Sequence, residues 1–250
     1  MTLAAVAGLA GAEFEIEFLD VDGVVRRGPL MRCWSERFED VTPARSFPSY
    51  RGQRNFPGWW WSSTMERHVG YESWLERDHL MLLDFDPQVV AFASQPFWLY
   101  WLAGDRTRRH LPDYFVRRVD GVGVVVDVRA DDRIELGDAE AFAATAVACD
   151  EVGWEFRRVG ALDAVFAANV RWLSRYRHPR CGRREGIAAE LVEAFTHPTP
   201  LFAGAERVGD RLVVLPVLYH LLWRQVLVAD LGGALLGPSS LVWHAAGRRL

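Results

Sequence analysis

The stretch His110-Leu-Pro-Asp113-Tyr-Phe-Val is followed, after a turn at Asp120-Gly121, by Val124-Val-Val-Asp127-Val-Arg129. Two strands of an apparent hairpin thus each deliver a carboxylate, fourteen residues apart. A hard divalent cation takes oxygen ligands from such a pair while keeping part of its water shell. Asp127 stands inside a valine run, where an ionised carboxylate is costly to bury without a partner or a metal. Arg129 follows it by two, so on a strand the pair shares a face, and the cation would stand beside an attacking water or a scissile phosphate. Glu76, in a helical segment upstream, is placed to add a third carboxylate; Glu72, four residues earlier on the same face, is its rival or a supporting group. A second reading stays open, because an Asp-x-Arg pair on an edge strand is also what a solvated salt bridge looks like.

Cations surround these acids in sequence. Arg106, Arg108, Arg109 and His110 precede Asp113, and Arg171, Arg175, Arg177, Arg180, Arg183 and Arg184 come later with Trp172 and Tyr176 among them. Phosphate contact would use either group. A solvated turn accounts for the first equally, and a basic linker pairing with acids elsewhere accounts for the second. All 29 basic residues are arginine, and the net charge of −4 argues against a protein that coats nucleic acid nonspecifically, though not against a local basic groove. Three scattered cysteines exclude a disulfide framework and a C-x-x-C zinc site. The seven histidines lack metal spacing, and neither a phosphate-cradling glycine loop nor a nucleophile elbow is present.

The elements that must position these residues follow from periodicity and punctuation. In a chain of 250 residues, half apolar and a quarter charged, there is room for one large domain or two small ones. Residues 13–31 read as a β-hairpin around Asp22-Gly23, and 40–64, rich in Pro and Gly, as an irregular arm ending in Trp59-Trp60-Trp61, which suits core or partner docking. A helix is predicted over 71–85 and strands over 89–93, 97–102, 111–116 and 122–128. Then come a helix over 138–152, a strand over 154–159 and a helix over 161–176, together a mixed sheet with flanking helices. Beyond an arginine-rich linker, helices near 185–196, 199–207 and 214–224 precede a ribbon of 226–231 and 241–243, the outline of a winged helix. The longest apolar run, Leu212 to Trp223, is too short for a membrane span and holds Pro216 and His220. The first twelve residues lack the basic start of a signal peptide, so the expectation is a cytoplasmic protein without membrane contact.

Pro112-Asp113 followed by Asp127-Val128-Arg129 resembles the PD-(D/E)xK nuclease signature, with Arg in the Lys position. More specifically, the segment from Tyr71 through Glu76 to Asp78, Leu83 to Pro87, Gln95-Pro96 and the Pro-Asp strand are together, in this order, similar to the TnsA-like endonuclease subunits of heteromeric transposases. The resemblance covers roughly residues 45–175. It implies a restriction-endonuclease-like α/β fold, a mixed sheet flanked by helices, with a C-terminal winged-helix domain. With the hairpin and winged-helix outline read above, the expected division is an N-terminal hairpin extension (1–45), a catalytic domain (46–178) and a winged helix (179–250), the last matching the family's second domain more loosely. The resemblance also implies magnesium, for which manganese can substitute, and cleavage of one strand of double-stranded DNA at transposon ends, beside an integrase-like transposase subunit and an ATPase regulator. Glu76, Asp113 and Asp127 match the family's acidic, metal-holding positions; Arg129 matches its lysine and departs from it. Gln95 is implied to approach the site, and Arg106, Arg108, Arg109, His110, Arg175, Arg177 and Arg180 are the expected DNA contacts. Two alternatives stand beside this: a noncatalytic nuclease-fold assembly factor that holds DNA ends and recruits the transposase, and a stand-alone restriction or repair nuclease.

Overall fold

The computed structural model describes residues 13–47, 53 and 56–245, so the alanine-rich start and part of the expected arm lie outside the described residues. The chain divides into two compact units, one of residues 1–83 and 88–161, the other of 84–87 and 162–250. Both mix helices with sheets, which makes the protein an α/β one. Among the described residues no helix is long and apolar enough to cross a membrane.

Unit 1 begins with β1 (Glu15–Leu19) and β2 (Val25–Pro29), the hairpin read from the sequence. Its turn is closed by Asp20, whose carboxylate accepts from the amides of Asp22 and Val24. After the one-turn helix α1 (Leu30–Cys33) comes a second hairpin, β3 (Gly58–Trp61) with β4 (His68–Tyr71), where an irregular arm was expected. Then follow α2 (Trp74–Phe85), β5 (Val89–Ser94), β6 (Trp98–Ala103), β7 (Arg106–His110), β8 (Tyr114–Arg118), β9 (Gly123–Val128), α3 (Leu136–Glu151) and β10 (Glu155–Val159). One sheet runs β2-β1-β6-β7 and another β10-β9-β8-β5; in the second, β5, β8 and β9 are antiparallel and β10 lies parallel to β9. The N-terminal hairpin is therefore no separate extension, since β1 pairs with β6 from the middle of the chain.

The central strands β8 and β9 of the second sheet are buried on both faces, which is why they read as near-continuous apolar runs rather than as alternation, while the edge strand β10 is charged and partly exposed. Phe115 and Val125 join a core with Ile16, Phe18, Leu99 and Trp101 of the first sheet and with Ala144 and Ala148 of α3. At its centre Phe38 meets Phe18, Phe97 and Trp154 edge-on at 5.0, 5.1 and 5.5 Å. Tyr114, Val116, Val124 and Val126 face the other way, towards Leu80 of α2 and towards Val69 and Phe92. The carboxylates at 113 and 127 therefore sit at the end of a hairpin fixed by packing on both sides.

In unit 2, α4 (Ala164–Leu173) starts at Asp163, whose side chain caps the Phe166 amide at 2.8 Å. Two 3₁₀ turns (Ser174–Tyr176 and Pro179–Gly182) lead to α5 (Glu185–Ala194), the short β11 (Thr199–Pro200), α6 (Leu201–Val208), α7 (Arg211–Trp223), β12 (Leu227–Ala229) and β13 (Leu241–His244). The three strands form an antiparallel sheet ordered β11-β13-β12. Helix α7 continues through Pro216. The missing amide sits one turn from the N-terminus, where Leu212, the residue whose carbonyl it would have met, is 87% exposed and its backbone reaches water. Asn169 of α4 is buried and bonds the loop between β12 and β13 three times, to the carbonyls of Leu231 and Ala234 and from the amide of Leu236, each at 2.8 Å. The expected boundary at 178/179 thus differs from the division at 161/162, because α4 packs within the second unit.

Candidate functional site

Asp113 and Asp127 are laced together by the hairpin that carries them. The Asp113 amide donates to Asp127 Oδ1 at 3.3 Å, and the Asp113 carboxylate accepts from the Val128 amide at 2.7 Å. Burial pushes the Asp113 carboxyl well above its ordinary value, and the negative charges of Asp127, Glu76 and Glu72 push it further. Four acids are thus concentrated in one electrostatic neighbourhood. Asp127 is 2% exposed, and both of its oxygens lie within 3.0 Å of His110 Nε2. The ring nitrogen donates there, so His110 is a partner of Asp127 and not a free cation on the surface.

Glu76 sits in the first turn of α2 within a Ser-x-x-Glu cap. Its amide donates to Ser73 Oγ, that hydroxyl donates to Glu76 Oε1 at 2.8 Å, and the Glu72 amide donates to Oε2 at 2.7 Å. Burial raises the Glu76 pKa, and the Glu72 charge adds to it against these hydrogen bonds. Glu72 is held by Arg45 at 2.6 Å through one oxygen, while its other oxygen, Oε1, is buried without a partner. Gln95 Oε1 is likewise buried and unpartnered. Its amide donates to the Asp113 carbonyl at 2.8 Å, and its φ of 48° lies in the left-handed region, which a side chain tolerates only where its surroundings hold it there. Among the described residues three buried side-chain polar atoms lack partners, and two of them belong to residues coupled to Asp113.

The structure does not bring every expected residue to this place. Arg129 lies beyond the end of β9, and its guanidinium bonds Asp138 at 2.7 Å in the first turn of α3. Burial raises Asp138, but the Glu135 amide and Arg129 outweigh it, and the net shift is downward. The strand alternation expected to aim Arg129 alongside Asp127 therefore gives way to a nearer carboxylate. Among the described residues no three His, Cys, Asp or Glu side chains are gathered as a metal-ligand set, so the expected cluster of Glu76, Asp113 and Asp127 is an electrostatic grouping with Glu76 engaged in its helix cap.

The expected phosphate contacts also separate. Arg106, Arg108 and Arg109 lie on β7, a charged edge strand. Arg108 approaches Glu140 of α3 at 3.7 Å, and Arg109 stacks over Trp98 at 4.3 Å. In unit 2, Arg175 is exposed over Trp172, Arg180 is exposed, and Arg177 is half-buried and donates to the Ser174 carbonyl at 2.7 Å, which makes it a structural group. Sequence reasoning missed Asp138 and Arg45, which neutralise charges at the site from distant segments, and did not foresee the bond between His110 and Asp127. The only signal for His110 was its position three residues ahead of Asp113. No protein-family model matches this chain, and no curated protein matches it significantly.

Proposed function

We propose that this protein is a metal-dependent DNA endonuclease of restriction-endonuclease-like fold, acting as the nuclease subunit of a heteromeric transposase, with a winged helix as its second unit. One observation carries the reading. The Asp113 and Asp127 carboxylates are laced together at the end of a hairpin packed on both faces, burial and the charges of Asp127, Glu76 and Glu72 raise the Asp113 carboxyl, and buried oxygens of Glu72 and Gln95 lack donors. Buried acceptors without donors and an acid pushed towards its neutral form are what a hard cation relieves. The donor set is all oxygen and suits magnesium or manganese. Asp113 and Asp127 would hold the ion, with Glu76 released from its cap to join them. When bound, such an ion supplies a water of lowered pKa and neutralises charge on the phosphate oxygens.

The rest is the work of this chain's own residues. His110 fixes the orientation of the Asp127 carboxylate, as a supporting partner does for a ligand. Arg129, permanently charged, cannot act as a general base; released from Asp138 it would hold phosphate oxygens in its planar fork. The reading is supported by a four-stranded sheet ordered β5-β8-β9-β10 with α2 and α3 packed on it, and by the succession α5-β11-α6-α7-β12-β13, which is compatible with a winged helix.

A second reading is favoured by one observation, the Arg129–Asp138 pair, which leaves the cation occupied. In it the protein holds DNA ends without cutting them. Single-turnover cleavage of a transposon-end duplex, with magnesium or manganese and the partner transposase present, separates the two. Asp113→Ala and Asp127→Ala should each abolish cleavage while the fold persists, and Arg129→Ala should lose about 10²-fold, as when one preorganised charge-stabilising donor is removed. Near wild-type cleavage by either aspartate variant overturns the metal assignment. Wild type inert under every condition, with Arg129→Lys active, establishes the assembly factor instead.

A further inference from the structure

Between residues 164 and 184 the chain carries six arginines and no acid, within a molecule of net charge −4. Several exposed arginines elsewhere are answered, Arg26 by Asp20, Arg27 by Glu15, Arg129 by Asp138 and Arg158 by Asp131, and the exposed ones without an ion pair among the described residues, such as Arg32, Arg133, Arg207 and Arg224, are scattered along the chain rather than grouped in ten residues. Arg175, Arg180, Arg183 and Arg184 are exposed and enter no ion pair among the described residues. Arg175 and Arg180 lie in the two 3₁₀ turns that follow α4, and Arg183 and Arg184 come directly after the second. One of them is held in place without a counter-charge. The Arg175 guanidinium lies 5.0 Å over the Trp172 ring, and that ring is braced by Tyr176 at 6.1 Å and Tyr219 at 5.9 Å. A cation stacked on a fixed aromatic has lost part of its freedom before any ligand arrives.

The surfaces that such a small helical unit would ordinarily offer to DNA are not equipped for it. A recognition helix places polar side chains against base edges in the major groove. In α7 the buried residues include Val214, Val217, Leu218, His220, Leu221, Leu222 and Trp223, and the exposed ones are Leu212, Val213 and Arg211, the last engaged with Glu206 at 3.6 Å and stacked 4.9 Å over Phe202. The 3₁₀ turns lie directly on this helix. His220 Nδ1 donates to the Tyr176 carbonyl at 2.8 Å, and a Cβ added at Gly182 would meet the His220 ring at 2.3 Å. The loop joining β12 to β13, residues 230–240, holds one charged residue, the acid Asp230, whose carboxylate accepts from the amides of Gly232 and Gly233.

From this we infer that unit 2 binds the phosphodiester backbone of duplex DNA through the exposed arginines of its 3₁₀ turns and of the two residues after them, without reading sequence, and that α7 and the ribbon loop do not enter a groove. The inference rests on the reading of this chain as a DNA enzyme only for the choice of polyanion. Binding is measured in EDTA, where no cleavage occurs, so the two fail separately: Asp113→Ala should cut nothing and bind as wild type does.

The experiment is fluorescence anisotropy of the full chain on two unrelated 25-base-pair duplexes across 50–200 mM salt. Wild type should bind both alike. The variant carrying Arg175→Ala, Arg180→Ala, Arg183→Ala and Arg184→Ala should flatten the log–log salt slope by about three to four units, near 0.9 for each lost phosphate contact, and bind at least about 10²-fold more weakly at low salt. The same four positions changed to Lys should keep most of the slope, which separates lost charge from lost fold. Unchanged affinity and slope in the alanine variant overturn the inference. So does a tenfold preference of wild type for one duplex, or loss of binding on Leu212→Glu with the alanine variant unaffected. Competition by polyglutamate as effective as DNA at equal charge would make the face a generic acid-binding one and also overturn it.

Discussion

Burial, with the neighbouring Asp127, Glu76 and Glu72, holds the Asp113 carboxyl well above its ordinary value of 3.8. A carboxyl raised in the folded state binds its proton more tightly there than in the unfolded chain. Its contribution to stability is therefore complete below pH 3.8 and is lost as pH rises towards and through the raised value. Wherever the pH is high enough to ionise it, the Asp113 charge is a destabilising one. Asp113→Asn keeps an oxygen for the Val128 amide and removes that charge. Its unit 1 melting temperature at pH 8 should exceed that of wild type by roughly 3–8 °C, for a gain of about 1–2 kcal/mol in a domain of this size. The gap should close towards pH 4. Added magnesium should raise the wild-type midpoint and leave the variant unmoved, because a ligand stabilises only the state that binds it. Thermal unfolding followed by circular dichroism across pH 4–8 measures both effects. A variant less stable than wild type at every pH removes the electrostatic account of the site.

At the scale of elements, α7 shows how a polar group is accommodated in an apolar helix. Burial holds the His220 pKa below its ordinary value of 6.5, against the pull of its bond to the Tyr176 carbonyl. The neutral ring is the native form, so its stabilisation is complete above pH 6.5 and is lost as pH falls below it. Unit 2 should loosen between pH 7 and pH 5, seen as faster hydrogen exchange of the α7 amides after correction for the intrinsic rate. Gly182→Ala, which drives a methyl into the buried ring, should cost about 1–3 kcal/mol at pH 7 and expose the same amides. Pattern alone revealed α7 and the β8–β9 pair, because long apolar runs report burial directly. It did not reveal β7, whose sequence Arg-Thr-Arg-Arg-His forms an edge strand with nothing apolar to mark a period, or β11, which is two residues long. The carboxylates of the site were legible for the same reason that Asp127 stands out, an acid in a valine run. Their partners were not. Arg45 lies 27 residues from Glu72 and His110 lies 17 from Asp127, and only the fold closes such distances.

On the scale of the whole molecule, punctuation misplaced the division. Pro179, Gly182 and the arginines around them look like a linker, yet the 3₁₀ turns they form are packed on α7. The true change of unit, at 161/162, is marked in sequence only by Gly160 and the cap residue Asp163. Helix α4 is the element whose allegiance decides the matter. Its Val170 and Leu173 are fully buried, and Asn169 fastens the loop that joins β12 to β13. A fragment beginning at residue 179 would lose these two apolar side chains from the core, at about 2–5 kcal/mol each by comparison with truncation to alanine, and leave two carbonyls and one amide of the loop unbonded. That sum approaches or exceeds the whole stability of a domain of this size. A fragment of residues 162–250 should therefore unfold cooperatively in urea with dispersed amide resonances, whereas one of 179–250 should bind hydrophobic dye and unfold without a baseline. A shorter fragment as stable as the longer one would return α4 to unit 1 and leave the ribbon loop held by something other than Asn169.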